Sequence, residues 1–305
     1  MKIEPLARAM LAEAQGVLAR ACAHDDAAAV AEEKLFGAGP NGAPEAWLAR
    51  DDRGAVIGVA AAGARWLRVL AVMPEARGRG AGSALLAAAE DAMRPDKRVT
   101  DKVVSARAVA EPGNYLAPGI DERNVETIAW LERRGWTRGA ERNTNVLIDV
   151  ATNDRVSKQR ADELAAASAA RGYAIRRARR DEEGALCGAI ASEFGGAWPF
   201  EIARALAFDP PGVHLAIAAD GSYAAFAAHD GNNQGLGWFG PAGTWPAHRG
   251  QGLGEAVLLA CLVDVGERHA RCEVAWIGPR PFYEKAAGII GERRFWPMTK
   301  QLEAR

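Results

Sequence analysis

Two segments of this chain are near-copies of each other. Residues 72–86 read VMPEARGRGAGSALL and residues 244–258 read TWPAHRGQGLGEAVL. Pro74 matches Pro246, Arg77 matches Arg249, and Gly78, Gly80 and Gly82 match Gly250, Gly252 and Gly254, each pair 172 residues apart. That period is far longer than a solenoid repeat, so the chain holds two copies of a whole domain. A length of 305 residues accommodates two domains of roughly 150 each.

The flanks of the two segments agree with this. In the first copy, 46–52, 55–63 and 66–72 are apolar runs of strand length, 83–94 has helical spacing, 103–110 reads as a strand, and 127–135 as a helix stopped by Gly135. In the second copy the strands are 214–220, 223–230, 236–245 and 272–278, and the helices are 255–269 and 281–288. Residues 154–172 are charged, Ala-rich and end in Gly172, which predicts a linker helix; 173–180 follows as a basic strand. The expected division is 1–150 for the first domain, 151–172 for the linker helix and 173–305 for the second domain.

Composition excludes several classes. With 49% hydrophobic and 25% charged residues the chain is neither disordered nor fibrous. Its 38 basic and 39 acidic residues are balanced in each half, without the excess expected of a nucleic-acid binder. No apolar run reaches the length of a membrane helix, and 1–5 has no signal-peptide pattern, so a soluble cytoplasmic protein is expected. Cys22, Cys187, Cys261 and Cys272 are scattered without CxxC spacing; they read as small core residues, not metal ligands.

Each glycine loop follows an apolar strand and opens a helix. Glycine there lets the backbone turn tightly and approach a ligand with no Cβ in the way. The free N–H groups and the helix dipole then favour an anion, usually a phosphate. Arg77 and Arg249 add a charged donor at the entrance. Neither loop has the GKS or GKT of a P-loop, and G-x-G-x-G is not the G-x-G-x-x-G of a dinucleotide fold.

The pattern V-x-P-x-x-R-G-x-G-x-G before a helix resembles the acyl-CoA-binding motif of the GCN5-related N-acetyltransferase (GNAT) superfamily; Thr244 stands in place of Val in the second copy. The resemblance implies an α/β protein of two tandem acyl-CoA N-acyltransferase domains. Each would be a mixed, mostly antiparallel sheet flanked by helices, with the fourth and fifth strands splayed apart. Acetyl-CoA would be the cosubstrate, held in that gap with its pyrophosphate on the glycine loop. The implied contacts in the first copy are Ala71, Val72, Arg77, Gly78, Arg79, Gly80, Ala81, Gly82 and Ser83, with Asn124 further on. In the second copy they are Gly243, Thr244, Arg249, Gly250, Gln251, Gly252, Leu253, Gly254 and Glu255.

The family's second signature, N-x-x-A-x-x-F-Y, separates the copies. Its tyrosine protonates the departing thiolate. In the second copy FYEKAAG supplies Tyr283, but Trp276 stands where Asn is expected. In the first copy Asn124 is present and Leu131 takes the tyrosine position. The first copy also carries about twenty extra residues, including EPGNYLAPGIDERN (111–124), where an acceptor would approach; Tyr115 is a candidate for the missing acid, and the alternative is that the loop only covers an edge or packs on the other domain. Glu193, His229 and Asp230 are the candidate bases of the second copy. The expected activity is acetyl transfer to a primary amine of a small molecule or peptide, with the second domain as catalyst and no metal. The alternatives are a non-catalytic acyl-CoA sensor or scaffold, or catalysis in the first domain.

Overall fold

A computed structural model describes residues 1–96 and 103–305. The strands and helices, in chain order, are β1 (Lys2–Pro5), α1 (Leu11–Ala21), α2 (Ala31–Phe36), β2 (Glu45–Arg50), β3 (Val56–Gly63), β4 (Trp66–Val72), α3 (Ala81–Met93), β5 (Val104–Ala108), β6 (Ile120–Asp121), α4 (Val125–Glu132), β7 (Thr137–Arg138) and β8 (Asn143–Asp149). There follow α5 (Lys158–Ala169), β9 (Tyr173–Arg177), α6 (Glu183–Glu193), α7 (Trp198–Ala207), β10 (Val213–Ala218), β11 (Tyr223–His229), β12 (Trp238–Thr244), α8 (Leu253–Gly266), β13 (Arg271–Val274), α9 (Arg280–Ala286), β14 (Gly291–Trp296) and β15 (Met298–Leu302).

The chain forms two compact units, residues 1–143 with 294–305, and residues 144–293. The expected boundaries at 150 and 173 differ from these for a reason that lies in strand pairing. In the second unit β8 runs antiparallel to β13, with Ile148 opposite Cys272. In the first, β15 runs antiparallel to β5, with Lys300 opposite Ala106. Each of these strands has a partner that lies far away in sequence. Residues 151–172 are not a linker either. Helix α5 packs on α8 and β9 within the second unit, and Ser157 caps it by accepting from the Arg160 amide at 3.2 Å.

The first unit's sheet has the order β1-β2-β3-β4-β5-β15-β7, and β4–β5 is its parallel step. In the second unit the order is β9-β10-β11-β12-β13-β8-β14, again with one parallel step, β12–β13. Helices cover both faces. In the first unit Leu86, Ala89 and Met93 of α3 bury against Leu67, Ala106 and Ile128. In the second, α8 is apolar almost all round and packs Val257, Leu258, Cys261 and Leu262 on Ala225, Ala227 and Phe239. The sheet's opposite face is closed by α6 and α7 through Leu186, Ile190 and Ile202, packed on Leu215 and Phe226. Cys261 and Cys272 are buried as expected, whereas Cys22 and Cys187 are only half-buried. No helix among the described residues is long and apolar enough to cross a membrane.

Candidate active site

The two glycine loops have the same construction. Pro74 and Pro246 each open a short 3-10 turn, after which Gly78 and Gly250 take φ +76° and +78°. Gly80 and Gly252, at φ +92° and +73°, are the left-handed N-caps of α3 and α8. A side chain at any of these four positions would be strained. At Gly78, Gly80 and Gly250 nothing lies within 4 Å of where a Cβ would be, which leaves the cradle open to a ligand. The third glycines serve packing: a Cβ at Gly82 would meet Trp130 at 3.3 Å, and one at Gly254 would meet Thr244 at 3.4 Å. Ala81 and Leu253 are buried, so only their backbones are available there.

The arginines act differently from the expectation. Arg77 Nε donates to the Val72 carbonyl at 3.3 Å, and Arg249 Nε donates to the Thr244 carbonyl at 3.2 Å. Each thus ties the loop back to the end of its strand. Arg77 also donates to the Ala21 carbonyl at 3.3 Å. Ser83 accepts from Arg134 at 2.8 Å, and Glu255 is paired with Arg160 at 3.3 Å.

Beside each loop the sheet opens. β4 and β5 pair only at Trp66–Arg107 and Leu67–Ala108, and β12 and β13 only at Trp238–Glu273 and Phe239–Val274. Beyond those pairs the strands separate, leaving backbone groups of β4 and β12 facing a gap. Alternation along the ladder fixes which ones. Met73 N donates to Ile57 at 2.9 Å and Trp245 N to Ala224 at 3.0 Å. Ala71 and Gly243 therefore also face β3 and β11, and the gap is served by Leu70 and Val72, or by Ala242 and Thr244. Of the expected pairs, the amides of Val72 and Thr244 face the gap, whereas those of Ala71 and Gly243 are turned into the ladder. Leu70 and Ala242 went unnoticed in the sequence, although two-residue periodicity marks them once the strand ends are known.

Both fourth strands bulge where the gap begins. Opposite Ala61 and Ala62 stand Val69 and Leu67, so Arg68 is the extra residue of β4. Opposite Ala227 and His229 stand Ala242 and Phe239, so the bulge of β12 contains Gly240 and Pro241. Arg68 and Gly240 are 172 residues apart and occupy the same place. Arg68 is 1% exposed and ion-paired with Glu111, itself 1% exposed; it also donates to the carbonyls of Gly37 at 2.5 Å and Gly42 at 2.9 Å. Asn114 from the same extra loop accepts from the buried Lys34 at 3.0 Å and donates to Gly37 at 3.2 Å. Tyr115, Leu116 and Ala117 are buried too. The space beside the first unit's bulge is therefore filled by its own chain. At Gly240, nothing lies within 4 Å of where a side chain would start.

Tyr283 and Leu131 complete the contrast. Leu131 is a buried core residue. Tyr283 packs edge-on against Phe239, the last paired residue before the gap, with ring centroids 6.3 Å apart. Burial pushes its hydroxyl up to about 12, so it carries its proton at neutral pH. No hydrogen bond to that hydroxyl occurs among the described residues. Next to the loop of the second unit lies a cavity of about 300 Å³, lined among others by Arg249, Gln251, Phe282 and Lys285. Asn124 sits at the start of α4 without a side-chain cap bond.

The candidate bases fare unequally. His229 and Asp230 are buried, and His229 Nδ1 lies 2.8 Å from Asp230. Asp264 is shared by His229 at 3.4 Å, His214 at 2.7 Å and Arg177 at 2.6 Å. These groups form an internal electrostatic cluster instead of a solvent-facing base. Glu193 is exposed and lines a separate open depression with Tyr223, Trp245 and His248.

Residues 43–137 match the family model of the acetyltransferase (GNAT) domain. A tandem GNAT protein from the clavulanic acid biosynthesis pathway, solved without AcCoA, superposes over 98% of both chains with TM-score 0.66 at 20% identity. This is a tandem GNAT-fold chain. A GCN5-related N-acetyltransferase from Sphaerobacter thermophilus aligns over 99% of this chain and 96% of its own, at 15% identity and TM-score 0.65. The glucosamine N-acetyltransferase region of a fungal multi-domain GH3 β-N-acetylglucosaminidase gives TM-score 0.74 at 15% identity; 98% of the present chain spans 38% of that protein. No curated protein sequence matches significantly. Among the described residues, no group of three or more His, Cys, Asp or Glu side chains is placed to hold a metal ion.

Proposed function

We propose that this protein transfers an acyl group, in the first instance acetyl, from acyl-CoA to the primary amine of a small molecule or peptide. The second unit is the catalyst and the first binds the CoA ester without turning it over. The observation that carries this reading is the bulge pair: Gly240 leaves space at the head of the second gap, and Arg68 closes the first.

The residues present fit a CoA ester in both units. Three of the four left-handed glycines are clear of neighbours, and two strand amides face each gap. When bound, acyl-CoA supplies an activated thioester carbonyl. The chain supplies the rest. The Ala242 and Thr244 amides face the gap and can orient and polarise a carbonyl, a contribution worth most where the oxygen gains charge. Tyr283 holds a proton beside Phe239, where a departing thiolate would need it. The aromatic packing of Phe282 and Tyr283 (centroids 5.0 Å apart) excludes water from that side. An acceptor amine that arrives neutral can lose its proton to water, since His229 and Asp230 are buried.

The test is calorimetric titration with CoA, combined with turnover over a panel of amines. Two sites per chain are expected, with turnover lost in Tyr283→Phe. Turnover that survives Tyr283→Phe but disappears in Gly80→Val would move catalysis to the first unit. Tight CoA binding with no transfer to any amine would favour a sensor.

A further inference from the structure

The second glycine loop has beside it an arginine brought from a distant part of the chain, whereas the first carries Arg79 within the loop itself where the second has Gln251. Arg171 lies two residues beyond the end of helix α5, where its amide bonds the Ser168 carbonyl at 3.0 Å and Gly172 turns the chain into β9 at φ +85°. The helix is anchored on α8, so this end is held in place. The Arg171 guanidinium is 3.7 Å from where a Cβ of Gly252 would be, over the open left-handed turn that caps α8. Its side chain is exposed and has no hydrogen-bond or ion-pair partner among the described residues. Lys285, on the α9 wall of the 300 Å³ cavity, is likewise exposed and unpaired among them. The nearby carboxylate of Glu255 is already taken by Arg160. Two cations thus flank the positive end of a helix with no protein anion between them, an arrangement that repels itself until a negative ligand enters.

The first unit is built otherwise. Nothing outside the loop lies within 4 Å of where a Cβ of Gly78 or Gly80 would be. Its cation is Arg79, exposed between those glycines where the second loop has Gln251, while Arg134 is committed to Ser83 at 2.8 Å and stacked 4.0 Å from the Trp130 ring.

We propose that Arg171, with Lys285 from the cavity wall, clamps the phosphoryl oxygens of the CoA ester in the second unit. Resting on the assignment of the second loop to CoA, the proposal adds that the supposed linker helix is part of the ligand site. Arg171 is a positioning residue, and its position over the centre of the loop selects the diphosphate over the ribose 3′-phosphate.

Titrations of the full chain with CoA, dephospho-CoA and pantetheine decide this. Arg171→Ala should weaken CoA and dephospho-CoA at the second-unit site, the one removed by Gly252→Val, by about tenfold or more, the worth of one charge-assisted contact. Pantetheine, lacking phosphate, should bind as to wild type. Arg171→Lys should recover part of the loss, and the wild-type advantage should shrink at high salt. Weakening of CoA alone would keep the clamp and transfer it to the 3′-phosphate. Because Arg171 is exposed, an unchanged melting temperature without ligand checks the fold. If Arg171→Ala binds all three compounds like wild type, the clamp is wrong. If Gly252→Val also titrates with CoA like wild type, the second loop is no CoA site and the functional reading falls as well.

Discussion

Replacing Glu111 with alanine should destabilise the first unit severely, and the size of the effect follows from the bulge. The Arg68 guanidinium remains charged at any accessible pH, so it cannot escape by losing its proton. With Glu111 gone it keeps the Gly37 and Gly42 carbonyls but has no counter-ion in a site that is 1% exposed. Breaking one side of such a buried pair costs about 3–5 kcal/mol. For a unit of this size each kcal/mol shifts the transition by roughly 2–4 °C, so a fall of roughly 6–20 °C is expected. Urea unfolding and calorimetry of Glu111→Ala measure it. The paired replacement Arg68→Met with Glu111→Leu removes both charges and should restore stability to within about 2 kcal/mol of wild type. A single mutant within about 1 kcal/mol of wild type would refute the claim that this pair is a sealed, dry plug.

Three further outcomes are expected. Tyr283→Phe should lower turnover about 10²-fold or more with little change in CoA affinity, whereas Leu131→Phe should leave turnover within a few-fold; since Tyr283 titrates only near about 12, wild-type rates should show no loss from its ionisation below about pH 11. Gly80→Val and Gly252→Val should each remove one CoA from a titration that gives nearly two, because both put a β-branched side chain at positive φ in the cradle; a wild-type stoichiometry of one would contradict two working loops. The cluster around Asp264 should make the second unit pH-sensitive. Burial opposes the charge on His229, but the carboxylates of Asp230 and Asp264 outweigh burial and raise its pKa above the ordinary imidazole value of 6.5. Its contribution is then complete below about pH 6.5 and lost as pH climbs through the raised value. Burial likewise disfavours the charges on Asp230 and Asp264, yet their histidine and arginine neighbours hold both pKa values low, so their share is present above about pH 4 and fades in acid. Denaturation of His229→Asn from pH 5 to 9 should show a flatter alkaline side than wild type.

What was legible in the sequence was what local chemistry dictates. Gly78, Gly80, Gly250 and Gly252 stand where the backbone must turn left-handed, and strands β2 to β4 and β10 to β12 are apolar enough to read directly. Helix α6 was not legible, because Gly184, Gly188 and scattered apolar residues give it almost no amphipathic face. The destination of β8 and β15 was hidden because strand pairing is decided by partners more than a hundred residues away. The same holds for the bulge. Arg68 and Gly240 align at the repeat offset, yet only the register against β3 and β11 shows that they face the same space. Arg171 was read as part of a charged linker, since nothing local ties it to Gly252.

The division of the chain also sets an order of events during synthesis. The second unit is one continuous stretch, 144–293, and can fold as soon as it has emerged. The first cannot finish, since β15, which pairs with β5, is made last of all the strands. At roughly 5–20 residues per second the ribosome takes about 10–30 s to travel from the end of residue 143 to β15. Throughout that interval β5 offers a bare edge of unpaired N–H and C=O groups, the kind of edge on which chains aggregate. A nascent first unit is therefore a client for whatever shields sheet edges at the exit tunnel, and a stop codon before Met298 would make that exposure permanent.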